Sequence, residues 1–185
     1  MKKLLAGVLL VPALALAPAV AQKPSGPGFT LTTTAFEDGG IIPDQYTQSA
    51  GSPVSPPLAW SHVPAGTESF AVIVDDPDTA LHKSTDEVLH WLLFNIPGSS
   101  RSLPQGIPNQ PNLPDGAIQG KNTGGIPGFR GMGAPAPGPY HHYLFQIFAL
   151  NTKLDLGPEA TREDVVKAMD GHILAKAAMV GRFHR

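Results

Sequence analysis

Three apolar runs stand out along the chain: Ser69-Phe70-Ala71-Val72-Ile73-Val74, Leu89-His90-Trp91-Leu92-Leu93-Phe94-Asn95-Ile96 and Tyr143-Leu144-Phe145-Gln146-Ile147-Phe148-Ala149-Leu150. Each is short, flanked by turn residues and rich in branched or aromatic side chains, which predicts buried strands rather than helices. They are expected at the centre of a sheet. A β-branched run from Phe29 to Phe36 predicts an earlier strand. Ser55-Pro56-Pro57-Leu58-Ala59-Trp60 predicts an edge or lead-in strand, because a residue before proline is pushed towards extended geometry. Helical spacing is clear in one place. Thr161 can cap a helix, Asp164 completes a capping-box pattern, and Val165, Val166 and Met169 form an apolar stripe that Gly171 ends. The tail from His172 to Phe183 reads as a closing strand in preference to a further helical turn.

The first 21 residues have a different pattern. Lys2 and Lys3 precede an apolar run from Leu4 to Leu16, and Ala19-Val20-Ala21 is a small-x-small cleavage site. The run is too short to span a bilayer and is interrupted by Pro12 and Pro18. Residues 1–21 are therefore expected to be a cleaved signal peptide, 22–28 a linker and 29–185 one domain, in a protein that is exported to the periplasm or secreted. No stable transmembrane segment is expected after cleavage. Removing 21 of the 185 residues leaves 164, enough for a single core. Losing Lys2 and Lys3 takes the basic count from 13 to 11 against 15 acids, a formal charge near −4 and the wrong sign for nucleic-acid binding. Cysteine is absent, which excludes disulfides, thiol catalysis and thiolate metal sites. Twenty glycines and twenty prolines with 15% charged residues suit a loop-rich β protein.

Candidate chemistry sits at the ends of the apolar runs. Asp76-Pro77-Asp78 places two carboxylates on a stiffened turn, though an isolated sequence of this kind is more often a solvated β-turn. His90 lies inside an apolar strand and needs a hydrogen-bond partner, for which an aspartate is the natural choice. The segment Gly131-Met132-Gly133-Ala134-Pro135-Ala136-Pro137-Gly138-Pro139-Tyr140-His141-His142-Tyr143 runs from a Gly/Pro loop straight into a strand. Alternation there puts His141 and Tyr143 on one face and His142 on the other. The long Pro-rich connection from Gly98 to Tyr140 is either functional or disordered, and its position beside the histidines favours function.

Four ordered blocks, Ser55 to Trp60, Asp76-Pro77-Asp78, His90 with the run to Asn95-Ile96-Pro97, and Gly131 to Tyr143, carry a resemblance. Together they resemble the phosphatidylethanolamine-binding protein (PEBP) family, in its bacterial Raf-kinase-inhibitor-like YbhB/YbcL branch. The resemblance implies a mainly β fold, a PEBP-like antiparallel β-sandwich with a C-terminal helix and a long Gly/Pro-rich loop. It also implies a small pocket for an anion such as phosphate, phosphoethanolamine or a phosphoryl head group, lined by Asp76, Asp78, His90, Gly131, Gly133, Pro135, His141 and Tyr143. Two positions depart from the family pattern: Ala80 stands where a proline is usual, and His142 where an arginine is common. The second removes a permanent positive charge from that position.

An anion pocket with aspartates has a physical rationale, since an Asp–His⁺ pair is neutral overall yet presents an N–H donor, and glycine-turn amides add more. Affinity is then expected to weaken as pH rises through the histidine range. A non-catalytic binding protein is the expected function, with no cofactor and no metal. A hydrolase using the Asp/His pocket is the chemical alternative, but there is no G-x-S-x-G elbow and no cysteine. Metal-ligand spacings such as H-x-x-x-H are also missing, and adjacent His141 and His142 point to opposite faces. Inhibition or modulation of an envelope protease is the interaction alternative, and a homodimer stays open. Mass spectrometry of the exported chain should find Gln22 as its first residue; an intact Met1 would overturn the leader assignment.

Overall fold

The computed structural model describes residues 27–79 and 85–185. The expected leader, residues 22–26 of the linker and Ala80 lie outside them. Among the described residues, nine strands and one α-helix follow in the order β1 (Thr30–Thr32), β2 (Gly40–Ile41), β3 (Leu58–Ser61), β4 (Ser69–Asp76), β5 (Val88–Pro97), β6 (Ser102–Leu103), β7 (Ile118–Gln119), β8 (His141–Leu150), α1 (Arg162–Met169) and β9 (Ile173–Phe183). They form a three-stranded sheet ordered β1-β3-β6 and a six-stranded sheet ordered β2-β9-β8-β4-β5-β7. The β2–β9 pairing is parallel and the other strand pairings are antiparallel. Among the described residues, no helix is long and apolar enough to cross a membrane.

The three apolar runs become β4, β5 and β8, adjacent inside the large sheet. Their near-continuous burial has a simple cause: both faces of this sheet are covered. On one side, Phe70, Val72, Val74, Phe145 and Ile147 meet Leu31, Leu58, Trp60 and Leu103 of the small sheet. On the other, Ala71, Ile73, Phe148 and Leu150 meet Val165 and Met169 of α1. Each large aliphatic or aromatic side chain so buried contributes about 1.5–3 kcal/mol.

Several expectations are corrected at element edges. The first strand spans Thr30–Thr32 only, because the Thr33 hydroxyl donates to the Pro57 carbonyl and accepts from the Ala35 amide at 3.1 Å, turning the chain out of the ladder. The Ser55–Trp60 stretch is expected as an edge or lead-in strand; β3 is not an edge but the middle strand of the small sheet, beginning at Leu58 just after Pro57. Pro57 has no N–H to give a ladder, so regular pairing starts past it. The helix carries the expected capping box, with both the Thr161 and Asp164 side chains engaged. Val165 and Met169 are buried but Val166 is 43% exposed, since a residue next in sequence lies about 100° around the helix. The tail is β9, the strand neighbouring β8.

The connection from Gly98 to Tyr140 is ordered, and its backbone polar groups find partners along β5 and within the loop. The Gly120 amide donates to Leu92 O, the Thr123 amide to Leu89 O and the Arg130 amide to His90 O, at 2.8 to 3.0 Å. Buried amide side chains do the rest. Gln119 accepts from the Trp91 indole at 2.8 Å and donates to the Pro108 and Gln110 carbonyls at 2.7 and 2.8 Å, while Asn122 donates to Gly128 O at 3.0 Å. Replacing Gln119 with Leu removes three bonds at a fully buried position and orphans the indole N–H. We expect a loss of about 2–4 kcal/mol in urea unfolding; an unchanged midpoint would show that the loop does not depend on this amide.

Candidate functional site

One face of the large sheet ends in polar residues. Along β4, Val74 belongs to the core facing the small sheet, Asp75 turns to the helix side, and Asp76 returns to the Val74 side. Along β8, His141, Tyr143 and Phe145 share that same side, as strand alternation requires. Pairing of Asp75 with Leu144 then sets Asp76 beside the start of β8. His141 Nδ1 lies 2.8 Å from Asp76 Oδ2 in an almost fully buried pair. Asp76 Oδ1 accepts from the Asp78 amide at 3.0 Å, and Oδ2 accepts from the Thr79 hydroxyl at 3.2 Å. Its carboxylate is thus the organising acceptor of the turn.

His90 arrives by a different route. Val74 pairs with Trp91 but Asp75 pairs with Leu89, so His90 is the extra residue of a β-bulge. The phase change shows in the packing. Leu89 joins Leu92 and Phe94 on the helix side, while Trp91 and Leu93 lie on the other. A bulge re-aims a side chain and breaks local pairing, and here the freed backbone turns to the loop. The Arg130 amide donates to His90 O at 2.8 Å, and His90 Nδ1 donates back to Arg130 O at 2.9 Å. The aspartate partner expected for His90 is therefore replaced by a backbone carbonyl. A carbonyl only accepts, so Nδ1 carries the proton and Nε2 is the unprotonated nitrogen of the neutral ring. Burial holds the imidazolium below its ordinary pKa of 6.5, against the opposing pull of the Arg130 carbonyl and Asp76. Nε2 has no hydrogen-bond partner in the described structure.

Asp76, Asp78, Thr79, Val88, His90, Gly133, Pro135 and His141 line one cavity of about 360 Å³, together with Gln48 and Arg130. Six of the eight residues expected at the site are thus brought together. Gly131 and Tyr143 stand behind the wall. A Cβ on Gly131 would lie 2.6 Å from Pro53 Cβ and 2.9 Å from the Thr47 carbonyl carbon, so this glycine permits a close backbone approach. Tyr143 is fully buried, meets the His90 ring edge-on at 5.2 Å, and its hydroxyl lacks a partner of good geometry. Burial pushes its phenol far above the ordinary value, with Asp76 adding to the shift. Gly133 leaves room for the Gln48 amide, which a Cβ would meet at 2.3 Å. That amide is held on both sides, donating to Gly131 O and accepting from Arg185, each at 3.0 Å.

His142 occupies the outward face, as alternation predicts, yet Asp78 follows it there. Asp78 Oδ2 accepts from the His142 amide at 2.7 Å and lies 2.9 Å from its Nδ1. Partial burial acts to raise Asp78, but these bonds and the neighbouring imidazoles hold it below the ordinary carboxylate range. The permanent positive charge that His142 does not supply is present from the loop as Arg130. Sequence reading passed over Arg130 and Gln48. A cation immediately before Gly131 was an available signal for the first; for the second there was none, since Gln48 reaches the cavity only through the tertiary approach of its loop. Among the described residues, no three histidine or acidic side chains gather where they could hold a metal.

A larger cavity, about 480 Å³, lies elsewhere, lined by Thr85, Asp86, Glu87 and Leu89 and by Thr161, Arg162 and Glu163 at the start of α1. It holds none of the histidines. Arg162 forms a forked pair with buried Asp75 at 2.9 and 3.1 Å, and desolvation still leaves that carboxyl above its ordinary pKa. This ion pair is a packing link between helix and sheet.

The depressed pKa of His90 has a thermodynamic consequence. The unfolded chain takes up a proton below about pH 6.5 that the folded ring resists, so stability is full above that pH and falls as pH drops towards the folded value. Denaturation followed from about pH 7.5 to 5 should show this slope, and it should be shallower in His90→Gln. Equal slopes would mean that His90 titrates normally.

The model of the phosphatidylethanolamine-binding protein family matches residues 32–184. The chain is 44% identical over 155 residues to a UPF0098 protein of Methanothermobacter thermautotrophicus, covering 84% of this chain and 98% of that one. It is 33% identical over 159 residues to the UPF0098 protein YbhB of Escherichia coli, covering 83% and 98%. The crystal structure of E. coli YbcL, described as a new member of the mammalian PEBP family, superposes with a TM-score of 0.76 at 30% identity, over 86% of this chain and 99% of that one. A PEBP homologue of Chlamydia trachomatis, CT736, gives 0.74 at 32% identity, over 85% and 98%. With the fold, the ordered motifs and these relatives in agreement, the chain belongs to the phosphatidylethanolamine-binding protein family.

Proposed function

We propose that this protein is a non-catalytic binding protein whose cavity takes a small phosphoryl anion, free phosphate or a phosphoryl head group. One observation carries the reading: the division of charge around the cavity. Both aspartates are already engaged, Asp76 by His141 and Asp78 by His142. Arg130 lines the same cavity, and among the described residues its guanidinium makes no hydrogen bond or ion pair. With both carboxylates held by imidazoles, the Arg130 cation is the charged group of the lining left free to take an oxyanion. Guanidinium is suited to oxyanions because its planar fork of N–H groups matches two oxygens at once.

His141 adds a second donor position. Its Nδ1–H is committed to Asp76, leaving Nε2 as the free ring nitrogen. An oxyanion there accepts from Nε2–H in the imidazolium form, in which both ring nitrogens are donors. Catalysis finds little support in this arrangement. The hydroxyl that lines the cavity, Thr79, is turned onto Asp76, and that carboxylate is already bonded to His141. The leader-like segment supports a working place outside the cytoplasm.

Titration calorimetry with phosphate and phosphoethanolamine tests the reading. Arg130→Ala should weaken binding by roughly tenfold to a hundredfold, the worth of about 1.5–3 kcal/mol for a charged hydrogen bond. The backbone groups that hold His90 are kept in this variant. Native affinity in Arg130→Ala, or no binding of either ligand to the native protein, would overturn the proposal.

A further inference from the structure

We propose that the cavity selects an oxyanion that still carries a proton, the monoanion of a phosphate monoester or of phosphate itself, over the dianion and over phosphodiesters, and that His90 reads the proton. This rests on the anion-binding reading above and narrows it. The hydrogen-bond inventory leads to it. His90 Nδ1 is committed as donor to the Arg130 carbonyl at 2.9 Å, which fixes the tautomer and leaves Nε2 a lone-pair acceptor. The ring is 2% exposed and lines the cavity, and Nε2 finds no donor among the described residues. A buried acceptor without a donor is rare and costly in a native structure. A ligand that offers an O–H satisfies it.

Among the described residues, the other groups packed around the cavity do not supply that donor. From the β4 turn, Asp76 and Asp78 are acceptors, and the Thr79 hydroxyl proton goes to Asp76. From β8, His141 directs Nδ1 at Asp76, His142 is on the outer face, and the hydroxyl of Tyr143, although against the His90 ring, makes no bond to it. Gln48 donates to Gly131 O, accepts from Arg185, and makes no bond to Nε2. Arg130 gives the ring its carbonyl, and its guanidinium makes no bond to Nε2. A fully ionised phosphate presents only acceptor oxygens, so one of them against Nε2 meets a lone pair with a lone pair. A monoester monoanion presents one P–O–H to His90 and keeps its remaining oxygens for Arg130 and His141. The phosphodiester of a membrane lipid has no such proton.

Three probes separate these cases by calorimetry on the folded native protein: methyl phosphate, dimethyl phosphate and sulfate. At about pH 5.5, below the second ionisation of a phosphate monoester near pH 6, the first two carry the same single charge and differ in the proton. Methyl phosphate should bind at least about tenfold more tightly than dimethyl phosphate and sulfate. Sulfate stays ionised throughout, so its pH profile reports the protein's own groups. Between about pH 5.5 and 8 the affinity ratio of methyl phosphate to sulfate should fall about tenfold or more. In His90→Gln, whose amide can offer an N–H, the preference for methyl phosphate should collapse towards unity. Equal binding of methyl and dimethyl phosphate, or a methyl phosphate to sulfate ratio that does not change with pH, overturns proton selection while leaving the anion site in place. Binding of none of the probes overturns both readings. The comparisons on the native protein stand whether or not the variant folds.

Discussion

The arrangement depends on one constraint: a long connection with little regular structure lies against the buried strand β5, and its backbone groups need partners there. The reciprocal bond between His90 and Arg130 is where that constraint meets the site. It uses the backbone N–H and C=O of Arg130 and both the carbonyl and the imidazole of His90. The loop is thereby fixed, the imidazole tautomer is chosen, and Arg130 is set into the cavity lining. Unpaired buried backbone groups are rare because each costs about as much as a lost hydrogen bond. The bulge at His90 makes the exchange available, since a regular ladder residue would have spent its backbone on β4.

A division of labour follows across adjacent residues of β4. Asp75 and Asp76 differ by one position and therefore by one face of the sheet. The first ties α1 to the sheet through Arg162, and the second organises the cavity through His141. Both carboxylates are nearly inaccessible to solvent, which explains why each has a cation or imidazole within hydrogen-bonding distance. The cavity is then defined by what its neighbours have already used. Asp76 and Asp78 are matched, while Arg130 and His90 Nε2 are unmatched in opposite senses, one wanting acceptors and the other a donor. A partly protonated oxyanion answers both.

The main elements were legible in the amino-acid sequence. Short apolar runs bounded by turn residues marked β4, β5 and β8 as central strands; Thr161 and Asp164 marked the helix start; alternation put His141 and Tyr143 on one face and His142 on the other. These are local properties, set by the period of a strand or the orphan N–H groups of a helix end, and a single chain segment carries them. The order of the four motif blocks was legible for the same reason and pointed to the family that the comparisons show.

What tertiary structure alone decided was the partner of each polar group. Nothing local gives the extra residue at position 90, because a bulge is a mismatch between two strands and needs the register of both. His90 was expected to bond an aspartate and bonds the Arg130 carbonyl instead, since the loop arrives at the gap that the bulge opens. Arg130 and Gln48 enter the cavity by the packing of two separate loops, Gly131 serves close approach to Pro53, and Asp78 turns outward to His142. The sequence by itself determined which residue types gather at the ends of the strands. The three-dimensional register determined which of them are satisfied by one another and which remain open to a ligand.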